Sequence, residues 1–216
     1  MNTSKKLSIN IKIGILSAIA FILMMFEVPI VPAFPWLQVD LSDVPALIGA
    51  FAFGPVAGVV IELLKNVLKM LLMGTSTGGV GELANFLIGI AFVVPAAIVY
   101  KKGNTKKLAI VGMLVGTVAI VLMGILANIF ILLPLYGMKM TATQLTSYII
   151  AGIIPVNIIK AVLDSVVTYI LYKKLATTMF KVAPMGNSTN RKNVCILKDE
   201  KVENVNSSKG KTKKII

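Results

Sequence analysis

Asn157, Lys160 and Asp164 interrupt an apolar stretch that runs from Tyr148 to Tyr172. At about 100° and 1.5 Å per residue they share one helical face, within roughly 60° of one another and along about 10 Å of axis. An ionisable side chain near a bilayer midplane costs on the order of 2.5–3.5 kcal/mol, so such residues mark a functional face by default. The spacing therefore predicts a helix that turns this face toward a binding cavity. Glu62, Lys65, Asn66 and Lys69 repeat the pattern upstream within an arc of ~100°. The alternative use of both faces is internal neutralisation at i,i+3 or i,i+4, Glu62 with Lys65 or Asn66 and Lys160 with Asp164. Lys69, nearer the end of its span, is placed to reach the headgroups. Asn128 and Asn85, the latter close to Glu82, add uncharged amides. An amide reads the edge of a neutral heterocycle at a lower desolvation cost than a charge does, or joins two helices for about 0.6 kcal/mol.

The chemistry that is missing narrows the function. There is no His, and the single Cys195 lies in a polar tail, so histidine catalysis, Cys/His zinc sites and intramolecular disulfides are excluded. Gly79-Val-Gly81-Glu-Leu-Ala84 fits a dinucleotide pattern but lies between two apolar spans with no strand before it. Its expected use is a tight turn whose glycines let backbone approach a ligand. Gly210-Lys211-Thr212 resembles half a phosphate-binding loop, yet Val205 stands where the first glycine is required. No covalent chemistry, ATP hydrolysis, metal or cofactor is expected.

The elements that must position these residues follow from composition. Of 216 residues 56% are hydrophobic and the mean hydropathy is +0.87, which places the chain in a membrane. Six helical spans are expected, at about 11–28, 44–53, 55–73, 82–100, 108–133 and 146–173, in an all-α multi-pass protein. The second is too short to cross ~30 Å of hydrocarbon and must pack among its neighbours. Gly54-Pro55 separates it from the third. The formal net charge of +13 would suggest nucleic acid in a soluble protein, but eighteen of the 22 Lys and Arg lie at the N-terminus, in the turn 101–107 and from Lys173 onward. Those positions put both termini in the cytoplasm, against the lipid surface and not nucleic acid. Residues 1–176 read as a membrane domain and 177–216 as a basic, disordered tail.

The first outer loop, 29–43, contains three prolines and Trp36. Alternation of Leu37, Val39 and Leu41 with Gln38, Asp40 and Ser42 predicts a short extended piece with one apolar face. It can close over a cavity, and Trp36 can also anchor at headgroup depth. Gly14, Ser17 and Ala18, at i, i+3 and i+4, form a small-residue strip where another helix could approach, from this chain or a partner.

The runs Leu41-Ser-Asp-Val-Pro-Ala-Leu-Ile-Gly, Phe53-Gly-Pro-Val-Ala-Gly, Lys65-Asn66 and Glu82-Leu-Ala-Asn-Phe86 resemble the riboflavin-specific substrate-binding (S) components of energy-coupling factor (ECF) transporters, over about residues 8–176. The resemblance implies a vitamin-binding subunit of a prokaryotic cell membrane that works with a transmembrane coupling protein (T component) and two cytosolic ATPases. It implies that Asn128, Asn157 and Lys160 contact the polar edge of the isoalloxazine ring while the loop around Leu37, Val39, Asp40 and Leu41 closes over it. Glu62, Asn85 and Asp164 complete the candidate substrate site, and Gly14, Ser17 and Ala18 the candidate docking strip. The family's first-helix Ala-x-x-x-Ala appears here as Gly14-x-x-x-Ala18, and the lysine-rich tail is longer than usual. An S component for another vitamin, a stand-alone ion-coupled carrier and, last, a membrane-embedded enzyme are the alternatives.

Overall fold

The computed structural model describes residues 3–178 except 76. The expected tail therefore lies, from 179 on, outside the described residues. Six helices follow one another: α1 (Thr3–Met24), α2 (Asp43–Phe53), α3 (Pro55–Met73), α4 (Val80–Lys101), α5 (Lys106–Leu135), and α6, which runs through Ala142–Tyr148, Ile149–Ile153 and Ile154–Thr178. Four of them, α1, α4, α5 and α6, are long and apolar enough to cross a bilayer. The chain is a multi-pass membrane protein. Helix α3, at 19 residues, has the length but carries Glu62, Lys65 and Lys69.

The shortness of α2 has a structural reason. Nine of its eleven residues are buried, and it packs against α1, α3, α4 and α6 at once, as the hub of the bundle. Gly54, at φ 107°, adopts a backbone that side chains disfavour, and Pro55 then opens α3. Helices α4 and α5 make the most extensive pair in the bundle. Gly116 on α5 allows it: a Cβ there would lie 2.6 Å from the carbonyl oxygen of Phe92. Without hydrophobic drive between helices inside lipid, such close van der Waals approach is what holds spans together.

Two expectations are corrected. Helix α1 ends at Met24, four residues early, because Val28–Pro29 form a strand (β1) paired antiparallel with Gln38–Val39 (β2), Val28 opposite Val39. The expected alternation also stops at Val39. Asp40 and Ser42 are buried, since a lysine draws each inward. Along α1, Gly14 and Ala18 are exposed, whereas Ser17 is buried with its hydroxyl donating to the Ile13 carbonyl at 2.9 Å. The outward strip is thus Gly14 and Ala18 without Ser17.

Candidate functional site

Two asparagines of the site, Asn128 and Asn157, are set by widened turns. Residues Asn128–Leu132 of α5 and Ile149–Ile153 of α6 are π-helical, and each segment ends two residues before a proline, Pro134 or Pro155. A proline has no N–H and its ring collides with the carbonyl four residues back, here Phe130 or Ala151, so the turn opens by one residue. Asn128 begins the first widened turn and donates to the Gly124 carbonyl at 2.7 Å; Asn157 follows the second and donates to the Ile153 carbonyl at 2.8 Å. Each of these amides retains a second N–H for a ligand.

The loop fixes Asn128 further. Trp36 Nε1 donates to the Tyr148 hydroxyl at 2.9 Å, and that hydroxyl donates to Asn128 Oδ1 at 2.5 Å. Phe34 packs edge-on against both rings, with centroids 5.8 Å and 4.8 Å away. Leu37 and Val39 pack with Leu133, Tyr148, Ile153 and Val156 in an apolar cluster beneath the loop. The loop is therefore closed onto α5 and α6 over the site, and Trp36 serves as a hydrogen-bonded cover.

Beneath it lies a cavity of about 130 Å³ into which Asn85, Asn128, Asn157, Lys160, Leu37 and Trp36 all face. It shares Trp36, Gln38, Gly81, Asn85 and Tyr136 with a wider mouth of about 440 Å³, which Glu27, Asp40, Lys69 and Glu82 also line. Asn157 reaches its position because α5 has a glycine opposite it: a Cβ on Gly124 would stand 2.6 Å from Asn157 Nδ2.

Lys160 is held from the loop and from α2, at 3.3 Å from Asp40 Oδ2 and 3.4 Å from Asp43 Oδ2. Asp43 is also paired with Lys65, which forms a second ion pair with Glu62 Oε2 at 2.8 Å and donates to Ser42 Oγ at 2.8 Å. Asp40 Oδ1 takes the Ser42 backbone N–H at 2.6 Å. Burial opposes ionisation of Asp40, but Lys160, Lys65 and the Ser42 hydrogen bonds outweigh it and hold the carboxyl below its ordinary range. The result is an ionic bridge from loop to α2, α3 and α6 in which the ring of charges is shared by several elements.

Of the residues expected to form the site, Asn85, Asn128, Asn157, Lys160 and Leu37 line the inner cavity and Asp40 lines the mouth. Val39, Leu41, Glu62 and Asp164 line neither. Val39 belongs to the apolar cluster, Leu41 packs on the central core and Glu62 is engaged by Lys65. Asp164 does not pair with Lys160 as i,i+4 spacing suggests; among the described residues neither of its oxygens has a hydrogen-bond partner. Lys69 pairs with Glu27 at 2.8 Å in place of reaching outward. Asp43, Tyr148 and Gly124 were not legible as site residues, although Pro134 and Pro155 in apolar spans are visible signals of the widened turns.

The chain matches the family described as "ECF transporter, substrate-specific component" over residues 6–172. Riboflavin transporter RibU of Staphylococcus aureus (strain TCH60) is 41% identical over 192 residues, which span 84% of this chain and 100% of that protein. Riboflavin transporter FmnP of Bacillus subtilis (strain 168) is 37% identical over 170 residues, 76% of this chain and 89% of that one. Among solved structures, the S component of a bacterial ECF transporter superposes with a TM-score of 0.69 at 42% identity, over 82% of this chain and 98% of the other. With the family pattern covering all six helices and relatives matched along most of their length, the chain belongs to the substrate-specific components of ECF transporters.

Proposed function

We propose that this chain captures riboflavin from outside the cell and yields it to the cytoplasm when partner subunits, a transmembrane coupling protein and two cytosolic ATPases, hydrolyse ATP. The observation that carries the reading is the convergence of Asn128, Asn157 and Lys160 on one cavity beneath the loop. Two amides and an ammonium suit the alternating donors and acceptors of a flavin's pyrimidine edge, and cavity and mouth together fall in the few-hundred-Å³ range of small-molecule sites. The names of the relatives support the same ligand. Both termini are cytoplasmic in this proposal, the loop 29–43 is external, residues 1–176 form the binding domain and 177–216 a basic tail. The lysine distribution supports that orientation.

Positioning of Asn157 by Gly124 gives a first test. Gly124→Ala is expected to push the amide off its cavity position and to weaken riboflavin binding about tenfold, as loss of one buried hydrogen bond would. Fluorescence-quenching titration of the purified variant reads this out. Parental affinity would show that Asn157 does not contact the ligand.

The exposed pair Gly14 and Ala18 supports docking of a partner helix at α1. Gly14→Trp is expected to abolish riboflavin uptake by proteoliposomes that contain all subunits and ATP, while the isolated variant binds riboflavin as the parent does. Normal uptake removes the docking assignment. Uptake by the chain alone, driven by an ion gradient, would favour the stand-alone carrier, the reading that the unpartnered Asp164 supports.

A further inference from the structure

The two ends of the site differ in charge. The inner end presents amides and Lys160, whereas the charged groups at the mouth are Glu27, Asp40, Glu82 and a single cation, Lys69. That cation is already committed: Lys69 Nζ lies 3.0 Å and 2.8 Å from the two oxygens of Glu27. With its amide turned nitrogen-inward, Gln38 donates to the same two oxygens at 3.1 Å and 3.2 Å.

The opposite wall is the start of α4. A helix N-terminus attracts phosphate through its free N–H groups and dipole. Here Glu82 occupies that place. The Thr75 hydroxyl accepts from the Gly79 N–H at 2.8 Å, the Thr77 hydroxyl accepts from the Gly81 N–H at 3.1 Å, and each hydroxyl stands 3.1 Å from Glu82 Oε2, to which it donates. The helix end is thus neutralised by a carboxylate inside the chain. Glu82 is only 9% exposed, lines the mouth, and its Oε1 has no hydrogen-bond partner among the described residues. It is a fixed acceptor, ready for a hydroxyl and closed to an anion.

We propose that the mouth selects a neutral polyhydroxyl chain over its phosphorylated form, with Glu82 as acceptor for a hydroxyl and Glu27 keeping Lys69 from acting as a phosphate site. The proposal rests on the flavin reading above. With the ring's polar edge against Asn128, Asn157 and Lys160, the chain on the ring extends into the mouth. A terminal phosphate, carrying about −1.5 to −2 charges at neutral pH, would meet Glu82 with no free cation beside it.

The test is a set of quenching titrations on the purified full chain with riboflavin, riboflavin 5′-phosphate and lumiflavin, which has a methyl group in place of the chain. Glu82→Gln and Glu27→Gln are each expected to narrow the preference for riboflavin over its phosphate by about tenfold, the first by removing the repelling charge and the second by releasing Lys69. Lumiflavin affinity should stay at the parental value in both. An unchanged preference in both variants overturns the proposal while leaving flavin binding in place. A parent that binds neither riboflavin nor lumiflavin overturns the flavin reading and the proposal with it. A variant that also loses lumiflavin has a disturbed fold, and the other variant then decides.

Discussion

Lys65→Met is expected to prevent recovery of folded protein. The lysine is fully buried and stands between Asp43 and Glu62, whose side chains are also inaccessible. Methionine matches its length and apolar stem but leaves two carboxylates facing each other in a low-dielectric interior. Breaking a buried ion pair by removing one partner costs on the order of 3–5 kcal/mol, a large part of a typical stability of about 5–15 kcal/mol. The expected result is loss of the monodisperse peak on size-exclusion chromatography in detergent. Neutralising the partners in the same chain, with Asp43→Asn and Glu62→Gln, should restore much of that peak, because a buried charge set replaced as a whole is often close to neutral in energy. A single Lys65→Met variant with the parental peak and melting midpoint would show that the carboxylates find other partners or carry protons.

The second large effect is on the ligand. Asn157→Ala and Lys160→Ala are each expected to weaken riboflavin binding by more than about 1.4 kcal/mol, or tenfold, since each removes a polar partner from a desolvated cavity. Lys160→Ala should cost more. It also releases Asp40, and with it the loop's ionic hold on α6. A faster riboflavin off-rate in stopped-flow fluorescence would report that second contribution. Both variants binding as tightly as the parent would show that the cavity is wrongly assigned.

The division between what the sequence disclosed and what it concealed follows the range of the interactions. The inward face of Asn157, Lys160 and Asp164 is legible because helical spacing is local, and so is the break at Gly54-Pro55. The partner of Lys160 is not. Spacing favours Asp164, four residues away, but the loop brings Asp40 across 120 residues and α2 brings Asp43. The end of α1 differs for a similar reason: Met25, Phe26 and Val28 continue the apolar run in the sequence, yet Glu27 answers Lys69 on α3 and Val28 pairs with Val39. The widened turns were legible in principle, from two prolines inside apolar spans, but only the structure reveals that they aim Asn128 and Asn157 at one cavity. Gly124 could not have been singled out, since its role is defined by an amide on another helix.

The central claim, that this chain alone holds a flavin between α4, α5, α6 and the loop, is tested most directly by titrating the purified, ligand-free protein with riboflavin and following quenching of the flavin's own fluorescence. The account predicts saturable quenching at one riboflavin per chain in the absence of any partner subunit or ATP. Riboflavin that stays fully fluorescent at protein concentrations well above those used for related binding proteins, with the chain monodisperse, would contradict it.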